Sequence, residues 1–165
     1  MRDKEMLAVC YELANQSPCA KMKFGSVVVK DGEIVGRGFN HSPNPDCDDC
    51  EHLCAGGIRV GVASGTRLEL CHAAHAEQWA LLEAGNLAQG ATVYVAGFSP
   101  DGKAASKDPS LPLGHPKRGF YCTFCIRLIW AGGCAGIVCD SVNGPFHQSL
   151  AGAWATSFGV AEAGK

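Results

Sequence analysis

The sequence predicts an α/β fold: one mixed sheet with helices packed on both faces. Three observations carry that prediction. Two β-branched runs joined by Asp31-Gly32 read as an antiparallel hairpin. Beyond the hairpin, helical and strand patterns alternate, which implies parallel strands linked by crossover helices. The chain has 165 residues, 47% apolar and 18% charged, enough to bury one core and too apolar for a disordered segment. No repeat or internal boundary divides it, so 1–165 is expected to be one domain, with a core over about 5–142.

The elements follow in order. Residues 3–15 place Met6, Leu7, Cys10, Leu13 and Ala14 at helical spacing, and Ser17-Pro18 ends that helix. Residues 25–30 and 33–39 are the hairpin strands. From 40 to 71 the pattern is irregular. Residues 73–84 are mostly good helix formers, stopped by Gly85-Asn86. Residues 91–98 read as a strand. The stretch 99–119, rich in Pro, Gly and Lys, is a loop long enough to suggest a lid or a disordered tip. Residues 122–131 read as a helix and 136–142 as a strand. Residues 146–159 read as a last helix with Leu150, Ala153, Trp154 and Phe158 turned inward.

Charge and segment lengths exclude several function classes. The net charge is −2 with no basic run, a poor footprint for binding a nucleic-acid polymer. The longest apolar stretch, Ile129–Cys139, has 11 residues, too short to span a bilayer. Residues 1–6 are charged and lack the apolar centre of a signal peptide, so the expectation is a cytoplasmic protein.

Ten cysteines are the anomaly. Five disulfides would suit a small secreted domain. In a reducing compartment, clustered cysteines more often bind metal and scattered ones fill the core. Three fragments stand out: His75-Ala76-Glu77, Cys122-Thr123-Phe124-Cys125, and Gly36-Arg37-Gly38-Phe39-Asn40. The first two open predicted helices, where free N–H groups and the positive dipole end favour thiolates. Cys122 and Cys125 can grip one ion, and His75 can supply a third ligand. Three protein ligands leave a position for water, the layout of a catalytic zinc site. Glu77 can sit beside that water without ligating and carry a proton. The bland alternative is a helix-start histidine near two core cysteines.

The combination H-x-E followed by C-x-x-C is the known signature of zinc nucleobase deaminases. Together with Phe24-Gly25-Ser26-Val27, Val35 to Asn40 and Thr92-Val93-Tyr94-Val95, it makes residues 5–142 resemble the cytidine/deoxycytidylate deaminase superfamily, nearest its dCMP branch. The resemblance implies a three-layer α/β/α fold with a mixed, roughly five-stranded sheet. Only four strands are clear in the sequence, and the fifth could be short or hidden after Pro145. It implies His75, Cys122 and Cys125 as zinc ligands and Glu77 as proton shuttle. Asn40 would contact the substrate's sugar or base, Phe24 would pack on the base, and the Ala76 N–H would hold the ring carbonyl. The implied reaction is hydrolytic deamination of a free pyrimidine nucleotide, dCMP to dUMP, by a homo-oligomer.

Three departures from the family pattern bear on that expectation. Tyr121 stands where a proline usually precedes the first ligand cysteine. His41 replaces a glycine after Asn40. The 99–119 loop is long for the superfamily. Lys117 and Arg118, close before Cys122, could bind a 5′-phosphate; a solvated basic loop is the alternative. A second cluster, Cys47, Cys50 and Cys54 with Cys71 or His52, could hold a structural zinc, or could be free loop thiols. Cys10, Cys19, Cys134 and Cys139 read as core residues. Rival readings are a nucleoside, free-base or purine deaminase, and a non-catalytic zinc-stabilised interaction domain.

Overall fold

The structure is a computed structural model that describes residues 2–43, 61–63 and 66–160. Five strands form one mixed sheet: β1 (Lys23–Lys30), β2 (Glu33–Phe39), β3 (Thr92–Phe98), β4 (Gly136–Cys139) and β5 (Phe146–Gln148), in spatial order β2-β1-β3-β4-β5. β1 pairs antiparallel with both β2 and β3, β3 pairs parallel with β4, and β4 antiparallel with β5. The fifth strand does lie after Pro145. Its three residues are too few for a period-2 pattern and run directly into the pattern of the following helix. That helix, α4 (Leu150–Phe158), starts later than expected. Ser149 caps it, its side chain accepting from Gly152 N at 3.1 Å. β4 also ends earlier than the predicted 142, because Ser141 and Gly144 close a tight turn on each other's backbone.

Side chains alternate across the sheet and divide the core in two. On one face lies α1 (Arg2–Ala14), whose Leu7 and Cys10 pack on Val27, Val29, Tyr94, Ala96 and Val138. On the other lie α2 (Ala76–Ala84), α3 (Thr123–Ala131) and α4, packed on Val28, Val93, Val95, Ile137 and Cys139. Cys10, Cys134 and Cys139 are buried as expected. Cys19 is not a core residue. It is half-buried, because it follows Ser17-Pro18 in the connection to β1 and belongs to no element.

Two glycines let α2 lie close on the sheet. A side chain at Gly38 would collide with the carbonyl of Ala76, and one at Gly36 with the carbonyl of Ala80. The segment that carries His75 and Glu77 is thereby held beside the end of β2, where Asn40 sits.

The 99–119 connection is irregular but folded. Ala104 bridges back to Phe98 and Lys107 pairs with Ser141, so residues 104–107 run between the ends of β3 and β4. Among the described residues no helix is long and apolar enough to cross a membrane.

Candidate metal centre

Three of the expected residues meet at the starts of two helices. His75 immediately precedes α2, and its N–H donates to Gln78 Oε1 at 2.8 Å. Cys122 is the N-cap of α3, with extended backbone and its Sγ accepting from Cys125 N at 3.4 Å. His75 Nδ1 lies 3.3 Å from Cys122 Sγ and 3.2 Å from Cys125 Sγ, and all three donor atoms fall within 4.8 Å of one another. Around a tetrahedral zinc ion a nitrogen and a sulfur ligand sit roughly 3.6 Å apart. The observed spacing is within a few tenths of an ångström of that, so the donor set fits zinc in number, type and reach.

The protons of the three donors are coupled to one another. A hydrogen bond from the Cys125 thiol draws Cys122 down to about 4, and the neighbouring His75 acts in the same direction. Cys125 is pushed well above the ordinary thiol range by its bond to that thiolate and by burial. His75 is raised to about 9, chiefly by its hydrogen bond to Cys122. One thiolate therefore stands ready at neutral pH between two helix starts.

Glu77 is 7% exposed, in the first turn of α2. Burial raises its carboxyl, and the charge on His75 opposes that. Its Oε2 lies 3.8 Å from Cys125 Sγ, beside the donor atoms but outside the donor cluster. A buried carboxylate placed there can accept a proton and return it.

The remaining expected residues divide. Asn40 is 9% exposed and fixes the start of β1: its Oδ1 accepts from Phe24 N at 2.7 Å and its Nδ2 donates to Met22 O at 2.8 Å. An amide has two donor hydrogens and two acceptor lone pairs, so half its capacity is left for a ligand. Phe24 is half-buried and packs on the α2 side of the sheet. Ala76 is fully buried as the first residue of α2, so its N–H has no acceptor within the helix. Lys117 is exposed, and the Arg118 guanidinium donates to the carbonyl of Leu111 within the same loop. His41 stacks flat on Trp79, with ring centroids 4.4 Å apart. An open groove of about 410 Å³ runs past these rings along the outer edge of β2, and none of His75, Glu77, Cys122 or Cys125 lines it.

The second cysteine cluster falls largely outside the described residues, which exclude Cys47, Cys50, His52 and Cys54; Cys71 is half-buried and free. Among the described residues His75, Cys122 and Cys125 are the one group able to hold a metal, and the seven described cysteines are all free thiols.

One contributor lies outside the expected set. Gln78 belongs to an H-x-x-Q pattern, and a side chain three residues into a helix reaching back to the capping backbone is a readable signal.

The sequence model of the cytidine and deoxycytidylate deaminase zinc-binding region matches residues 1–139. The chain belongs to the cytidine and deoxycytidylate deaminase family. The ion of this family region is Zn2+, and the His75–Cys122–Cys125 cluster lies inside the match. A deoxycytidylate deaminase of Mycobacterium phage D29 is 34% identical over 97 residues, covering 56% of this chain and 75% of that protein. The deoxycytidylate deaminase of Saccharomyces cerevisiae is 34% identical over 83 residues, covering 49% of this chain and 26% of that protein. The dCMP deaminase of cyanophage S-TIM5, in its apo crystal structure, superposes with a TM-score of 0.53 at 19% identity, covering 86% of this chain and 85% of that one. At that identity the likeness shows the family's fold, which the five-stranded sheet shares.

Proposed function

We propose that this deaminase converts dCMP and water to dUMP and ammonia, with Zn2+ held by His75, Cys122 and Cys125. The observation that carries the reading is Glu77: a buried carboxylate, raised by burial, beside a three-donor site that it does not complete. A purely structural zinc site has no use for it. The substrate rests on the two deoxycytidylate deaminases that share 34% identity with the chain.

A zinc ion at such a donor set supplies a water acidified to near-neutral pKa. Glu77 takes the proton released as hydroxide oxygen bonds to the amino-bearing ring carbon. It would deliver that proton to the ring nitrogen and then carry the added hydroxyl's remaining proton to the amino group, so that the carbon–nitrogen bond breaks with ammonia leaving and a ring carbonyl in its place. Phe24 packs against the base, the free half of the Asn40 amide meets the sugar or base, and the Ala76 N–H holds the ring carbonyl. Lys117 and Arg118 are the groups proposed to meet the 5′-phosphate. The protein acts as a homo-oligomer, a reading supported by the exposed Tyr121, Phe124, Leu128 and Trp130 at the start and along the outside of α3.

Ammonia release across dCMP, CMP, deoxycytidine, cytosine, guanine and adenosine, run beside a zinc count per chain, tests the reading. Turnover is expected to be highest with dCMP. Preference for guanine or adenosine would replace the substrate, and zinc-loaded protein that releases no ammonia from any of them would mark a non-catalytic domain. A count of two zinc ions per chain would add the cysteine cluster around Cys47 as a second site. Deamination of dCMP by the Lys117→Ala/Arg118→Ala double variant should fall relative to deoxycytidine; an unchanged ratio removes the phosphate assignment.

A further inference from the structure

The matched family region ends at residue 139, yet the backbone around Cys122 is held from beyond it. Phe120 N donates to Gln148 Oε1 at 2.6 Å, from β5. Cys122 N donates to Ser157 Oγ at 3.1 Å, from α4, and the same hydroxyl donates to Phe120 O at 3.4 Å. Ser157 and Phe120 are each 3% exposed, and the bond between them is buried. Gly119 completes the seat: a Cβ there would stand 2.5–2.7 Å from the Gln148 amide atoms.

We infer that Gln148 and Ser157 are positioning residues for the zinc ligand Cys122, clamping the backbone on which its sulfur is aimed. The inference rests on the zinc-site reading above. The physical need is plain in the geometry. Cys122 Sγ must face Cys125 N and His75 Nδ1 at once; its carbonyl accepts from Ile126 N at 3.0 Å, but as N-cap its own N–H has no partner within the helix. The residue before it is Tyr121, which unlike a proline sets no backbone angle. Two distant side chains do that work instead: Gln148, 28 residues beyond Phe120, and Ser157, 35 residues beyond Cys122. Partners that orient a metal ligand typically change metal affinity 10- to 100-fold when removed.

The test uses full-length protein, zinc competition against a chromophoric chelator, and the thiolate-to-metal absorption of the Co2+-loaded form. Ser157→Ala and Gln148→Leu are expected to weaken zinc retention by about 10- to 100-fold and to perturb the cobalt–thiolate band. Gln148→Glu, which keeps an acceptor for Phe120 N, should restore both. Thr156→Ala is the control: Thr156 is equally buried on α4, and among the described residues its hydroxyl bonds Gly152 O of its own helix, at 3.0 Å. It should lower thermal stability and leave zinc retention and the cobalt band unchanged. Parent-like zinc retention in both Ser157→Ala and Gln148→Leu would overturn the inference. So would equal zinc loss in Thr156→Ala, since helix stability alone would then explain the effect. If Ser157→Ala does not fold, the Leu/Glu pair at 148 decides by itself. A parent protein that takes up neither Zn2+ nor Co2+ would sink the site reading rather than the clamp alone.

Discussion

The two faces of the sheet use similar materials to different ends. On the α1 face a single helix packs over Val27, Val29, Tyr94 and Val138 and is fastened by polar ties at its rim: Tyr94 to Asp3 at 2.7 Å and Tyr11 to Asp140 at 2.6 Å. On the opposite face three helices share the space, and two of them begin at one point with His75 and Cys122. Both faces hold buried cysteines. Cys10, on the inner side of α1, is raised to about 12 by burial, whereas Cys122 is drawn down to about 4 by its neighbours. Burial alone makes an inert thiol. Placement at a helix start beside a histidine and a second thiol favours a thiolate.

The sharpest way to break this division is to remove chemistry from one face and packing from the other. Glu77→Gln should lower turnover by about 10²- to 10⁴-fold, while zinc content and thermal midpoint stay close to the parent; loss of zinc would mean that Glu77 belongs to the ligand set. Leu7→Ala, on the α1 face, should cost about 2–5 kcal/mol in denaturant unfolding. The folded fraction should keep its zinc and its KM. A large change in KM would show the two faces to be coupled.

The smallest effect is a pH slope. The hydrogen bond from Tyr94, with His147 adding to it, holds the Asp3 carboxyl below its ordinary value of 3.8. Its contribution to stability is therefore complete above that value and disappears as pH falls through the lower folded-state pKa. Acid unfolding curves of the parent and Asp3→Asn should diverge above about pH 4 and converge below it. Parallel curves through this range would remove Asp3 from the account.

The legibility of each part follows the range of the forces that make it. The hairpin, α1, α2, α3 and the H-x-E and C-x-x-C fragments are local patterns, and the sequence displays them directly. β5 exists because β4 offers Ile137–Cys139 for pairing, so nothing within Phe146–Gln148 announces a strand. The two ends of the long connection, at 106–107 and 120–122, are placed by partners at 140–142, 148 and 157, none of them near in sequence. Asn40 was legible as a polar residue ending a strand. That its amide would also fasten the start of β1 depends on register, which emerges only when the strands pair.

One consequence concerns the part of the molecule that can be exchanged. The long connection is anchored at one end by Ala104 and Lys107, and Ser106 shares Asp140 Oδ2 with Tyr11. At the other end Gly119 and Phe120 rest on Gln148. The arch between those anchors, 108–118, is bonded mainly to itself: Asp108 N to Lys117 O, His115 N to Pro112 O and Arg118 N to His115 O. It is a cassette with fixed sockets. Its own bonds set the shape of the arch and the two anchors set its place, so changes confined to 108–118 are expected to leave the pairing of the sheet as it is.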